Sequence, residues 1–179
     1  MEIAILGGAV VFLVLGAFVG VVMAGHILLF SIVPICYGAF YAGTRKDNLQ
    51  ELMVLAQTRS GEKAADLGSG DGRIVIALAK AGAMAHGYEI NPLLVWWSRR
   101  KIRKAGLQNT AWIYWRNFWS IDFSPFDVVI VFGVSTIMKQ LEEKLKKELK
   151  PGARVVSNSF AFPFWKPEKT VGRVFFYRN

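Results

Sequence analysis

The opening of the chain shows no alternation of polar and apolar positions. Residues 3–24 contain no Asp, Glu, Lys or Arg, and after Glu2 the next charged side chain is Arg45. A helix over that stretch would be about 33 Å long, enough to cross a bilayer core, so the pattern predicts a transmembrane anchor over residues 1–25. A cleaved signal peptide fits less well, because Met1-Glu2-Ile3-Ala4 lacks a basic start and the apolar run is long for that role. Gly16 and Gly20 have the GxxxG spacing that lets membrane helices approach closely, but glycine is common in such helices and no pairing is assigned. Residues 26–42 stay apolar and aromatic, interrupted by Pro34 and Gly38. With Tyr37 and Tyr41 they suit an interfacial lead-in better than a second span, so residues 26–60 are read as a lead-in plus one helix before the core.

From residue 47 the periodicity changes. Leu49, Leu52, Met53 and Leu55 recur at helical spacing over 47–57, with Asp47 or Asn48 available as N-cap. Short β-type runs at 63–67, 83–89, 112–115, 127–132, 154–157 and 172–177 then alternate with helical patterns at 73–81, 92–104 and 138–150. Pro92 opens the second of these helices, and Pro151-Gly152 stops the third. Such alternation predicts an α/β fold, a Rossmann-like, doubly wound, mainly parallel sheet over residues 61–179.

Composition sharpens this division. The chain of 179 residues has a net charge of +9 and a mean hydropathy of +0.32, yet its charge lies almost wholly beyond Arg45. A basic domain behind an apolar segment suits an anionic membrane surface first, and an acidic partner or nucleic acid after it. Arg45 and Lys46 would face the cytoplasmic side under the positive-inside tendency, placing the domain there. The single cysteine, Cys36, excludes an internal disulfide and a cysteine-rich metal site, and is read as a packing residue. No metal is expected, and no oligomeric state is assigned.

The candidate chemistry begins at Asp66-Leu67-Gly68-Ser69-Gly70-Asp71-Gly72, a glycine loop leaving a strand and opening a helix. Such a loop lets backbone approach a ligand closely at a helix N-terminus. The nicotinamide and flavin fingerprint is G-x-G-x-x-G. Here the pattern is D-x-G-x-G-x-G, and a carboxylate at Asp66 would repel a pyrophosphate but accept hydrogen bonds from an ammonium. S-adenosyl-L-methionine carries an ammonium and a sulfonium and no phosphate, so it is the expected cofactor, and a nicotinamide-binding oxidoreductase is disfavoured. Glu89, at the end of the second strand, is placed to take both ribose hydroxyls. Asn117 and Phe118 follow the third strand, where this architecture places an amide or acid against the adenine amine and a ring on its face.

Asp66–Arg73 (DLGSGDGR), Gly87–Pro92 (GYEINP), Phe132–Val134 (FGV), Leu141–Leu149 (LEEKLKKEL) and Gly152–Val156 (GARVV) occur together and in order. With the upstream apolar segment and the Phe162-Pro163-Phe164-Trp165 turn, this set resembles the membrane-anchored protein-lysine N-methyltransferases of the class I, seven-strand type. Those enzymes modify adenine nucleotide translocase and the ATP synthase c-subunit, and have prokaryotic relatives. The resemblance covers roughly residues 35–177 and implies a short class I fold with an antiparallel last strand. It also implies a membrane-protein substrate with an accessible lysine at the bilayer. The chain departs from the family at Asn117, where an acid is usual, and at Ser159, where a base is usual. An amide still pairs with adenine; substrate choice is left open by Ser159.

Methyl transfer is an in-line displacement, so the protein mainly supplies alignment. A lysine nucleophile, with a reference pKa of about 10.4, must lose its proton, which an apolar channel favours by desolvation. Phe132 and Gly133 stand at the strand end where that channel should open, with Phe160 and Trp165 as candidate walls and no general base assigned. Phe132-Gly133-Val134-Ser135 replaces the Asn/Asp-Pro-Pro-Tyr/Phe tetrapeptide of many adenine and glutamine methyltransferases, which argues against those substrates. Alternatives are an anchored RNA or small-molecule methyltransferase, with the basic run at 99–104 as its footprint, or a non-catalytic cofactor-binding membrane protein.

Overall fold

A computed structural model describes residues 2–28 and 46–179, with side chains over 12–28 and 48–179. The chain divides into two compact units, Met1–Tyr37 and Gly38–Asn179. In the first, helix α1 (Glu2–Ile27) has no polar face, and Phe12, Phe18 and Val21 are exposed. Its described side chains run from Phe12 to Ile27, about 24 Å of helix against a hydrocarbon core of roughly 30 Å. Among the described residues no helix is long and apolar enough to cross a membrane. The transmembrane span expected over residues 1–25 is thus not found among the described residues, which do not include side chains 2–11. The expected interfacial segment, with Pro34, Cys36, Tyr37 and Tyr41, also falls outside them.

The second unit is built on one seven-stranded sheet. Helix α2 (Lys46–Ala56) leads into β1 (Lys63–Leu67), α3 (Arg73–Lys80), β2 (Met84–Glu89), α4 (Pro92–Lys104) and β3 (Ala111–Trp115). Then follow β4 (Val128–Val131), α5 (Ser135–Glu148), β5 (Arg154–Asn158), β6 (Lys169–Val171) and β7 (Val174–Arg178). The sheet order is β3-β2-β1-β4-β5-β7-β6, with β1 to β5 parallel and β7 antiparallel to both β5 and β6. The winding reverses between β1 and β4, and their carboxyl ends flank the crevice where such sheets bind ligands.

Alternation along the strands assigns the two faces. Ala64, Ala85, Ile113, Ile130 and Val156 pack beneath α2, α3 and α4, whereas Ala65, Leu67, Val129, Val131 and Val155 face α5 and the 118–126 segment. On that second face no helix links β3 to β4; a 3₁₀ turn (Phe118–Ser120) and Phe123 and Phe126 cover the sheet instead. Helix α4 starts where proline and an N-cap predict it: Asn91 Oδ1 accepts from Leu93 N at 3.0 Å, and Pro92 follows.

Three details differ from the sequence pattern. Helix α5 starts at Ser135 rather than 138, without a side-chain cap to announce it; Val134 precedes it in extended conformation. Strand β6 is an edge of three exposed residues, with no hydrophobic alternation to reveal it. Asn48 does not cap α2 but donates from Nδ2 to Asn158 Oδ1 across 3.3 Å.

Candidate functional site

The loop after β1 owes its shape to glycine. Gly68, Gly70 and Gly72 have φ of 75°, 52° and 77°, left-handed values that side-chain-bearing residues rarely adopt. A Cβ on Gly68 would meet nothing within 4 Å, so this position opens onto free space. The amides of Gly68 and Ser69 both donate to Tyr88 O, at 2.9 and 3.0 Å, which ties the loop to the end of β2. Gly87 on β2 makes room for it: a Cβ there would lie 2.8 Å from Ser69 Oγ and 2.5 Å from Ile113 Cδ1. Gly87→Ala is therefore expected to destabilise the domain by about 1–3 kcal/mol through overpacking, read as a lower denaturation midpoint. An unchanged midpoint would show that the loop relaxes freely.

Glu89 organises the loop from beneath. Its Oε2 accepts from Gly70 N at 2.9 Å, and its Oε1 accepts from Ile90 N and Asn91 N at 2.9 and 2.8 Å. One carboxylate thus joins the glycine loop, the end of β2 and the start of α4. Asp66, on β1, is 2 % exposed, and its Oδ2 has no hydrogen-bond partner. Burial, then the charges of Glu89 and Asp71, push its carboxyl up to about 8. Ser69 Oγ is a second buried oxygen without a partner. Native proteins rarely leave such atoms unsatisfied, and together they mark a place where a donor-bearing ligand belongs.

The remaining candidates separate into groups. Asp71 commits both oxygens to cations, Oδ1 to Arg73 Nε at 2.9 Å and Oδ2 to Lys101 Nζ at 2.7 Å. Burial works against its charge, but these two partners outweigh it and hold its carboxyl at about 2. Asp71 therefore clamps the loop to α3 and α4. Gly72 packs directly on α4, where a Cβ would stand 2.7 Å from Ser98 Cβ. Asn117 Oδ1 accepts from Trp119 N at 3.0 Å and caps the 3₁₀ turn, and Phe118 is buried with its ring 5.0 Å from that of Trp119.

The register aligns the far side of the crevice. Leu67 pairs with Val131 and Val131 with Ser157, so Gly68, Phe132 and Asn158 come level one residue further along. Phe132 meets Phe160 edge-on at 6.4 Å, and a Cβ on Gly133 would collide with Met138 Sδ at 2.4 Å. Trp165 belongs to a different ring cluster, with Phe162 at 5.6 Å and Tyr177 at 5.2 Å. Sequence reasoning missed Asn158, which is 1 % exposed with its Nδ2 a buried donor lacking a partner; a lone amide at a strand end carries no pattern of its own. Among the described residues no cluster of His, Cys, Asp or Glu could hold a metal ion.

With this geometry in place, the likeness to known proteins becomes specific. The ANTKMT methyltransferase domain profile matches residues 66–169. An ATP synthase c-subunit lysine N-methyltransferase of Rattus norvegicus is 46% identical over 124 residues, 69% of this chain and 57% of that protein. A protein-lysine N-methyltransferase of Saccharolobus islandicus is 35% identical over 133 residues, 73% of this chain and 83% of that one. The crystal structure of an RNA methyltransferase from Salinibacter ruber in complex with S-adenosyl-L-homocysteine superposes with a TM-score of 0.74. It is 32% identical and covers 76% of this chain and 93% of that one. The chain spans about half the length of the rat, mouse and human relatives it matches. By its matched residues and its fold, the chain belongs to the ANTKMT methyltransferase domain family.

Proposed function

We propose that this chain is an S-adenosylmethionine-dependent methyltransferase that modifies a lysine side chain of a membrane protein beside the bilayer. The observation that carries the reading is the partnerless, buried Oδ2 of Asp66 at the foot of an open glycine loop. An ammonium donor satisfies that oxygen and stabilises its charge; a phosphate does not. S-adenosylmethionine, when bound, supplies an electrophilic methyl carbon on a sulfonium. Asp66 would accept from its ammonium, and Gly68, Ser69 and Gly70 would let backbone approach it. Glu89 would take the ribose hydroxyls while still holding Gly70 N, and Asn117 and Phe118 would meet the adenine.

The chain's own contribution to the reaction is alignment and desolvation. Phe132 and Phe160, edge-on at the carboxyl end of β4, would form an apolar wall that disfavours the charged ammonium of an incoming lysine. The proton would pass to water, since no side chain is assigned as general base. The apolar α1, with Arg45 and Lys46 after it, supports a membrane-held protein whose domain lies on the cytoplasmic or matrix-equivalent side. In this reading residues 1–25 anchor, 26–60 lead in and 61–179 bind the cofactor and substrate.

Similarity to a protein named as an RNA methyltransferase, with the basic helix α4, supports RNA as the second acceptor. Tritiated methyl donor supplied with membrane proteins and with RNA separates the two. Label is expected in a membrane protein, mapping to lysine by mass spectrometry. Label in RNA alone would replace the lysine reading, and label in neither would favour a non-catalytic cofactor-binding protein.

A further inference from the structure

Helix α4 has two unlike sides. Val95, Ser98 and Ile102 are buried on the sheet. Its outward side carries Leu93, Trp96 and Trp97, which are 54, 55 and 50 % exposed, followed by Arg100, Arg103 and Lys104. At the end of the edge strand β3, Trp115 is 66 % exposed. Two tryptophans and a leucine on one helical face are unusual on a surface bathed only by water.

The charges are as one-sided as the apolar groups. Helix α4 contains no Asp or Glu. Two of its five basic residues are spent within the fold: Lys101 on Asp71, and Arg99 on Ile113 O at 2.9 and 2.7 Å. Among the described residues Arg100, Arg103 and Lys104 have no carboxylate partner, and they sit two to three turns beyond Leu93 on the same side. The indole ring is favoured at the boundary between headgroups and acyl chains, and arginine and lysine beside it match anionic headgroups.

We propose that the outward face of α4, with Trp115, is an interfacial surface that seats the catalytic unit on an anionic lipid bilayer. The tryptophans and Leu93 enter the headgroup boundary while Arg100, Arg103 and Lys104 meet the lipid charges. RNA is the less suitable occupant, because that face of α4 offers no Ser, Thr, Asn or Gln to read base edges. The Trp96 and Trp97 rings, 6.3 Å apart and inclined by 43°, form no common stacking platform. The surface is also joined to the candidate site. Trp115 Nε1 donates to Ile90 O at 2.9 Å, and Ile90 N donates to Glu89, so lipid contact here brings the carboxyl edge of the sheet to the bilayer. This deepens the membrane reading above and rests on it only in placing the domain beside a lipid surface.

Fluorescence of the full chain in vesicles tests the proposal, because residues 1–45 contain no tryptophan and α1 therefore adds no signal. The probes are phosphatidylcholine vesicles with brominated acyl chains, with and without phosphatidylglycerol. Each basic residue near an anionic surface shifts occupancy about fivefold, so quenching at least about twice as strong is expected when phosphatidylglycerol is present. Trp96→Ser/Trp97→Ser is expected to remove most of that quenching. Arg100→Gln/Arg103→Gln/Lys104→Gln is expected to reduce it to the level in neutral vesicles. All three proteins should bind S-adenosylmethionine equally by calorimetry, which keeps a failure of this surface distinct from a failure of the cofactor reading. Equal quenching in both vesicles overturns the proposal, as does quenching unaffected by the double substitution. Loss of single-stranded RNA binding in the same variants, without lipid quenching, overturns it in favour of RNA.

Discussion

Asp66→Asn is expected to cut S-adenosylmethionine affinity by about 10- to 100-fold while making the ligand-free protein more stable at pH 8. The first effect is the loss of a charge-assisted hydrogen bond, worth about 1.5–3 kcal/mol. The second follows from linkage. Burial, with Glu89 and Asp71 nearby, raises the Asp66 carboxyl to about 8 in the folded protein, against an ordinary value near 3.8. Between those values the unfolded chain is ionised at this position and the folded chain holds a proton. Unfolding then releases a proton, so the Asp66 contribution to stability falls as pH rises from about 4 to about 8 and stays low above that. Asparagine removes this dependence. Melting temperatures of wild type and variant should diverge as pH rises from about 5 to about 8 and keep a constant gap above that. Parallel curves would mean that Asp66 is not perturbed in this way. In the wild type, ligand binding below pH 8 should release a proton, because the bound carboxylate is ionised. Calorimetry in two buffers of different ionisation enthalpy reads that proton directly.

Glu89→Ala is expected to be the more disruptive change. It leaves the amides of Gly70, Ile90 and Asn91 without their acceptor, one of them in a buried setting. Hydrogen bonds to a charged group contribute about 1.5–3 kcal/mol each, and partial access of water to the two outer amides limits the total to about 2–4 kcal/mol. A domain of this size should lose on the order of 10 °C in melting temperature and show no measurable cofactor binding. Glu89→Gln should recover only part of the stability, because an amide has one accepting oxygen where the carboxylate uses two. A variant that melts like wild type but fails to bind would show that Glu89 serves the ligand alone and that the loop holds itself.

Much of this site was legible in the sequence because its parts are local. Asp66 through Gly72 form one strand–loop–helix joint, and the need for left-handed backbone at Gly68, Gly70 and Gly72 is written as glycine. Glu89 was legible at a fixed distance along a βαβ unit, though not its work as a backbone acceptor. The clamp at Asp71 was not: its partner Lys101 lies 30 residues on, and only packing brings it within 2.7 Å. Asn158 was distinguished by an unsatisfied buried atom, which no residue pattern announces. The strand at Lys169–Val171 was hidden because an exposed edge needs no apolar face.

The placement of α2 has a consequence for the order in which this protein can form. Leu52, Leu55 and Ala56 lie in the same apolar cluster as Val156, Val174 and Phe176, a hundred or more residues further on. Asn48 likewise waits for Asn158. As the chain leaves the ribosome, β1 to β3 can assemble with α3 and α4 from neighbouring segments, but α2 cannot complete its packing until β5 and β7 arrive. Closure by such distant segments is slow, and the uncovered apolar face is open to wrong partners meanwhile. The interval between synthesis of α2 and of β7 is thus when this chain would gain most from a chaperone.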